Sequence, residues 1–437
     1  MEEIEKIPTF SLDRKGRLLL SLRILFFSPF LFLFLSQSTL AYELLQPGGR
    51  ANSLSGAFIG ISDDWSALYW NPAGLFQSLD QELAVEGEYL SLKIKDGDSL
   101  ANGTGIFSHR IEGEKERFSQ EEAFSQSHLL PSIGFILPTK GLALGFGIFP
   151  RLGEYLDWRD EGTPDLEASL KRRMQIYNGS LAFSVHIAPI IYAGISLNLL
   201  HGEYEFLADK KYKGTRSYTF QYCLNHSKGT GFEVALGGLC QPQQLLSLGW
   251  VYRSGGSISL KGDASAKCTA SDCSADESSS YTKRIYLPPS YGIGLAMRYI
   301  PKTTIGLDWS KVGWDSWRED YSFETEGSIL KSPGERNPGW KGVDQWSLGL
   351  EIRPSEEWRL MLGSFSVQSP LSNSKIDLAN GMVEVERLGI SGGIGYKRDS
   401  WEFGLAHLTS NGQTKINDVG YQKDTSKTQI LIKVYFF

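Results

Sequence analysis

Leu287–Trp314 reads LPPSYGIGLAMRYIPKTTIGLDWSKVGW. In its second half Ile305, Leu307 and Trp309 fall on one face of an extended chain, and Thr304, Gly306 and Asp308 on the other. Pro301-Lys302 divides the stretch into two strands joined by a short turn. The pattern recurs on both sides. Segments of β-type composition lie near 82–95, 126–138, 141–152, 171–187, 191–206, 228–240, 245–256, 284–300, 303–316, 342–354, 358–368, 386–397, 401–411 and 426–437.

The connections sort by length. Short turns fall at 138–141, around Pro189, and at 241–244, 301–302, 354–357 and 397–400. Long polar stretches fall between them, at about 96–125, 153–170, 207–227, 257–283, 317–341, 369–385 and 412–425. A soluble sandwich has no reason to separate its connections this way. An outer-membrane barrel has short turns at one rim and long loops at the other. Fourteen segments is an even number, so both termini lie at one rim. The first and last strands must then pair to leave no open edge in lipid. The expected fold is all-β, a 14-stranded antiparallel transmembrane barrel.

Composition agrees. The 437 residues include 47 Gly and 12% aromatics. Mean hydropathy is slightly negative, as expected when only alternate residues face lipid, and it argues against a bundle of membrane helices. The net charge of −6 is spread without a basic patch, which excludes nucleic acid as a partner. Residues 18–35, LLLSLRILFFSPFLFLFL, follow Arg14, Lys15 and Arg17 and precede the small-residue run SQSTLA. That order is a secretory signal peptide, with cleavage expected after Ala41. The alternative, an anchoring helix, is interrupted by Pro29. No later stretch has the roughly 18 unbroken apolar residues of a spanning helix.

Behind the leader lies Pro47–Leu75, PGGRANSLSGAFIGISDDWSALYWNPAGL, too short for a domain and too apolar for a linker. Its Gly48-Gly49-Arg50-Ala51, Gly56-Ala57-Phe58, Asp63-Asp64 and Asn71-Pro72-Ala73-Gly74-Leu75 resemble the N-terminal hatch of the FadL/TodX family. Gly238–Ser254, Leu287–Trp314 and Arg387–Tyr396 are similar to later barrel segments of that family. The family comprises outer-membrane transporters of long-chain fatty acids and other hydrophobic compounds. The resemblance implies a hatch over 42–80 folded into the lumen of a barrel over 81–437. It implies capture at the extracellular loops, passage through an interior apolar pocket and lateral release through the wall into outer-membrane lipid. A non-transporting scaffold for secretion or surface attachment is the alternative. The terminal run Gln429–Phe437 resembles the signal read by the barrel insertion machinery, except that Lys433 stands where an apolar residue is common.

Candidate residues follow from the hatch. Asn71 suits a tight turn, Pro72 fixes φ, Ala73 completes the motif, and Gly74 permits backbone closed to other residues. These four are the gating candidates. Phe58, Trp65, Tyr69, Trp70 and Phe76 either line an apolar pocket or pack the hatch against the wall. Arg50 and Arg151 either hold a ligand carboxylate or join a lumenal ionic network. Asp63 and Asp64 are expected to contact lumenal arginines. Gly134, Gly145 and Gly147 mark a region where the ladder is weak enough for a lateral opening. Phe149, Leu152, Tyr155, Leu156 and Trp158 are candidates for an exposed apolar catch site. Cys268 and Cys273 lie in a polar segment and suit a local disulfide; Cys223 and Cys240 are read as free or packed. The six His show no metal spacing, no Gly-x-Ser-x-Gly elbow is present, and Gly392-Gly393-Ile394-Gly395 precedes no helix. Neither enzyme, cofactor nor metal is expected.

Overall fold

A computed structural model of the chain describes residues 43–436 apart from 45, 79, 97–121, 164–165, 214–216, 271–273, 371–384 and 417–418. The leader, Cys273 and Phe437 lie outside the described residues. Fourteen antiparallel strands close into a barrel. The first seven are β1 (Gln81–Asp96), β2 (Glu122–Thr139), β3 (Leu142–Thr163), β4 (Leu166–Ala188), β5 (Ile191–Tyr212), β6 (Tyr218–Gln243) and β7 (Leu246–Cys268). Three interrupted strands follow: β8 (Ala275–Leu287, then Ser290–Met297), β9 (Thr303–Val312, then Arg318–Phe323) and β10 (Gly334–Arg336, then Val343–Ile352). The last four are β11 (Trp358–Val367), β12 (Arg387–Arg398), β13 (Trp401–Ile416) and β14 (Val419–Phe436). The break in β8 falls on Pro288-Pro289, which offer no N–H to the ladder. β14 pairs with β1 from Tyr421 opposite Asp96 to Phe436 opposite Gln81, so the ring has no terminal edge.

Alternation sorts each strand between lipid and lumen. Leu362, Leu388 and Ile390 are 63%, 71% and 65% exposed on the outer face, which only hydrocarbon makes tolerable for side chains of this size. Trp309 packs between Tyr291, edge to face, and Trp346, at a tilt, across three neighbouring strands, part of an outward aromatic belt. β14 explains its odd lysine: Ile430 and Ile432 point outward, while Lys433 is buried on the inner face.

The strands run farther than their composition predicts. The polar stretches expected as loops at 153–170, 207–227 and 257–283 are largely continuations of β3–β8, closed by brief connections. Their outer face is polar because it stands beyond lipid, as at Lys267 and Asp276, whereas Ile258, Leu260 and Ala264 face inward. Charge on one face masks a period-2 pattern whose apolar half is intact.

Residues 46–78 form a compact irregular segment inside the ring. It contains a helical turn at Gly49–Ser53, another at Ala67–Trp70 and a 3-10 helix at Pro72–Gln77. Wall glycines let it approach: a Cβ at Gly194 or Gly237 would strike Pro72, Ala73 or Asn71, and one on Gly60 would meet Ala296 N at 2.9 Å. Leu54 likewise closes on Gly349 and Gly363, and Ser53 on Gly393. Contacts on so many strands around the ring place the segment within the lumen, at the short-turn end.

Candidate functional site

The interior has three parts. At the short-turn end the segment 46–78 is bound to the wall by polar contacts. Asp308 of β9 accepts from the backbone N–H groups of Phe58 and Ile59 at 2.7 and 2.6 Å. Glu86 of β1 accepts from Gly48 and Gly49 N–H and from the Trp65 indole at 3.0–3.2 Å. Arg50 pairs with Asp63 and, at 2.7 Å, with Glu351 of β10. Lys433 pairs with Asp64 at 3.2 Å and Glu82 at 3.3 Å. Burial opposes ionisation of Asp64, but Lys433 and Arg50 outweigh it and hold its carboxyl below the usual range.

Asn71 joins the segment to the wall. Its amide donates to Ile59 O and Gly238 O at 3.0 and 3.1 Å, and its Oδ1 accepts from Ala73 N at 3.2 Å. Pro72 opens the 3-10 helix, and Ser184 of β4 donates to Ala73 O at 2.8 Å. Gly74 is required for space rather than for an unusual φ: a Cβ there would strike the Ser62 carbonyl. Phe58, Trp65, Tyr69 and Trp70 are all buried in one cluster between segment and wall, and Phe76 packs at its edge beside His186 and Tyr192. None of the five lines the cavity of about 80 Å³ found higher in the lumen.

The second part is an apolar chamber on the long-loop side. Leu152, Met174, Leu200, Phe206, Ile258 and Ile285 contribute to its walls. Trp314, Trp317 and Trp340 pack mutually with centroids 5.5–5.7 Å apart. Lys283 is fully buried among these groups, 2.9 Å from Glu319, 2.5 Å from the Tyr321 hydroxyl and 3.8 Å from the Tyr204 ring centroid. Arg172 stands 3.5 Å from the same Glu319. Sequence reading missed this chamber because the three tryptophans lie in or beside a stretch taken for a polar loop. Leu152 and Phe149, expected on an exposed catch site, are buried at 1% and 0%. Phe149 packs against Trp65 and Tyr69, because the residues around it are still wall and not loop.

The third part is a defect in the wall. β2 and β3 pair only from Thr139 opposite Leu142 to Ile133 opposite Ile148. Beyond that, β2 pairs with β1 alone as far as Glu122, and β3 with β4. The next register positions would set Ser132 against Phe149 and Pro131 against Pro150. Neither proline has an N–H to give, so the ladder cannot continue there. β3 also shifts register against β4 between Pro150 and Leu152. On the edge of β3 left open, Glu43 and Leu44 pair with Gly153 and Leu152. Gly134, Gly145 and Gly147 stand just on the turn side of the break, where they admit Trp65 and Leu68 to the wall. The two prolines, placed symmetrically about the 139–142 turn, were the signal in the sequence; the glycines only neighbour it. Arg151 projects inward at the bulge, 3.2 Å from Glu233 and 5.6 Å from the Tyr69 centroid. Cys268 is disulfide-bonded, and Cys223 and Cys240 are free.

A closed barrel with an internal plug-like segment, an apolar chamber and an interrupted wall defines a membrane-spanning channel. Residues 43–430 match the family described as outer membrane protein transport protein (OMPP1/FadL/TodX), and the chain belongs to that family. It is an outer-membrane transport protein and not an enzyme. A Pseudomonas aeruginosa FadL homologue superposes with a TM-score of 0.71 at 12% identity, over 91% of this chain and 100% of that one. The Ralstonia pickettii toluene transporter TbuX gives 0.65 at 14% identity, over 90% and 100%. The P. putida toluene transporter TodX gives 0.66 at 14%, over 90% and 99%. These likenesses concern the fold. No curated protein matches the sequence.

Proposed function

We propose that this protein takes up hydrophobic small molecules, long-chain fatty acids and monoaromatic hydrocarbons among the candidates, by passive passage through the barrel. Ligand enters from the long-loop rim, which the family assigns to the cell exterior, and partitions into the tryptophan-lined chamber. Residues 46–78 act as a hatch that closes the route toward the periplasm. Ligand then leaves sideways between β2 and β3 into outer-membrane lipid. The break at Pro131 and Pro150, immediately beyond the hatch aromatics Trp65 and Tyr69, is the observation that carries this reading. An unpaired edge in hydrocarbon costs several kcal/mol for each unsatisfied group, so a gap there needs a function to hold it. The dipeptide Glu43-Leu44 caps part of the edge and is suited to move when ligand passes.

The reading is tested by uptake of radiolabelled oleate and toluene in a deletion strain complemented with wild-type protein or with Pro131→Ile/Pro150→Ile. Restoring two donors is expected to extend the ladder and slow uptake at unchanged barrel assembly. Equal uptake by wild type and the double variant would remove lateral release. Equal uptake with and without the gene would remove transport of these ligands altogether and leave the scaffold reading.

A further inference from the structure

A hairpin connection roofs the apolar chamber. Arg318–Phe323 pairs with Ala275–Leu287, and Gly334–Arg336 returns against it, from Tyr321 opposite Gly334 to Glu319 opposite Arg336. Residues 324–333 join the two. Within 324–333, all of it described, only Leu330 is buried, at 1% exposure. It belongs to the same apolar cluster as Trp314, Trp317 and Trp340, and Ile329 packs beside it. The other side chains of the connection are exposed or half-buried. A single leucine therefore closes the chamber at the long-loop mouth of the lumen.

One carboxylate holds that roof in place. Glu277, near the start of β8, accepts through Oε1 from the Ser328 N–H and hydroxyl, each at 2.6 Å. Its Oε2 accepts from Ile329 N–H at 3.1 Å and from Leu330 N–H at 2.9 Å. Three successive backbone N–H groups thus converge on one anion, the concave arrangement that binds anions generally. Bonds to an ionised acceptor are about twice as strong as neutral ones. Gly327 leaves the room for it: a Cβ there would strike the Glu277 carboxyl. Burial opposes ionisation of Glu277, but the bonds from Leu330, Ser328 and Ile329 outweigh it and hold its carboxyl down to about 2.

The other attachments lie at the base of the connection. Glu324 N–H donates to Ser280 O and Thr325 N–H to Ser279 Oγ, both at 2.9 Å, and Phe323 N–H donates to Ser332 Oγ at 3.0 Å. Gly327 N–H donates to Leu330 O at 2.9 Å, so the tip keeps its own shape when it moves. Release of Glu277 frees the tip and leaves the wall strands paired. The surface beneath Leu330 is apolar and non-directional, so a hydrophobic solute can take the leucine's place. Such a solute binds the open tip better than the latched one, which is the condition for a ligand to open a gate.

We propose that residues 324–333 are an entry gate, with Leu330 as the stopper of the chamber and Glu277 as the latch that keeps it seated. An incoming hydrophobic molecule displaces Leu330 and draws the three N–H groups off the carboxylate. The gate rests on the channel reading above and adds to it the step by which the mouth opens.

The test is amide hydrogen exchange across residues 324–333, followed by mass spectrometry on the full-length barrel in detergent, with and without saturating toluene or oleate. Binding of both radiolabelled probes to the same preparation is measured alongside, and assembly is checked by heat-modifiable gel mobility. In the wild type the amides of Ser328, Ile329 and Leu330 are expected to exchange slowly, and a bound probe to speed them. Glu277→Ala is expected to speed the same amides by about tenfold to a hundredfold without any probe, the range for losing hydrogen bonds to a charged group, and the probe then adds little. Leu330→Ser keeps the latch and removes the stopper; its exchange should rise as well, with little further response to the probe. Unchanged protection in Glu277→Ala overturns the latch. A wild type that binds a probe while exchange at 328–330 stays the same or slows overturns the gate and leaves the channel standing. If neither probe binds, the channel reading fails and the gate with it.

Discussion

The floor and the chamber of the lumen are built on opposite principles. At the floor, polar groups along residues 46–78 meet wall partners, and wall glycines let backbone touch backbone. In the chamber, the walls are aromatic and aliphatic, charges are few, and a cavity remains. Directional bonds fix one arrangement, whereas apolar surface is indifferent to the identity of what covers it. The difference teaches that one barrel can carry a fixed floor and an adaptable apolar chamber, stacked along its axis.

The sharpest way to break the floor is Lys433→Met. It leaves Glu82 and Asp64, 2% and 3% exposed, without their shared ammonium. Orphaning a buried carboxylate costs about 3–5 kcal/mol. The hatch is expected to leave its seat, seen as a rise in planar-bilayer conductance and in protease access to residues 46–78. Adding Glu82→Gln should recover part of the seal. Unchanged conductance in the single variant would mean that the wall alone, without this pair, holds the floor.

Asn71→Ala acts at one point. It removes two donated bonds and one accepted bond, leaving Ile59 O and Gly238 O short of a partner. A loss of about 1–3 kcal/mol is expected for each buried group left unsatisfied. Conductance should rise less than with Lys433→Met, and gel mobility of the folded barrel should not change. Failure of the barrel to assemble would make the motif a folding element instead of a gate. In the chamber, Trp317→Ala removes a ring packed on Trp314 and Trp340. Its expected signature is the reverse: weaker ligand binding, by about tenfold for the ~1.4 kcal/mol worth of an aromatic contact, with conductance unaltered.

The wall was readable in sequence and the chamber was not, for a physical reason. Lipid demands an unbroken apolar stripe at period 2, and that stripe is legible at Ile305, Leu307 and Trp309. Above the membrane the outer stripe turns polar, so the end of strand Ile191–Tyr212 beyond residue 206 looks like a loop although Ala208 and Lys210 keep the inward period. The turn at Asn71-Pro72 was legible because Asn-Pro and glycine positions are local chemistry. The hatch's partners Asp308, Glu351 and Lys433 lie more than two hundred residues away in sequence, where no spacing rule points to them. The aromatics of the hatch were visible; that they pack the wall and leave the cavity to Trp314 and Val343 depends on tertiary contacts alone.

Acid should distinguish the two regions by the smallest margin. Asp64 is held below its ordinary value of about 3.8, burial being outweighed by Lys433 and Arg50. A depressed folded value means that the released hatch binds the proton more readily than the seated one. The carboxylate's contribution to seating is therefore fully present above pH 3.8 and declines as pH falls through the lower, folded value. The part of the acid response that Asp64 carries should appear as a climb in conductance below about pH 4, while ligand binding in the chamber, measured with an uncharged ligand, does not follow. Asp64→Asn should raise conductance modestly at neutral pH and flatten the acid limb. A rise of the same steepness in Asp64→Asn would assign the acid response to other carboxyls and leave Lys433 seated mainly through Glu82.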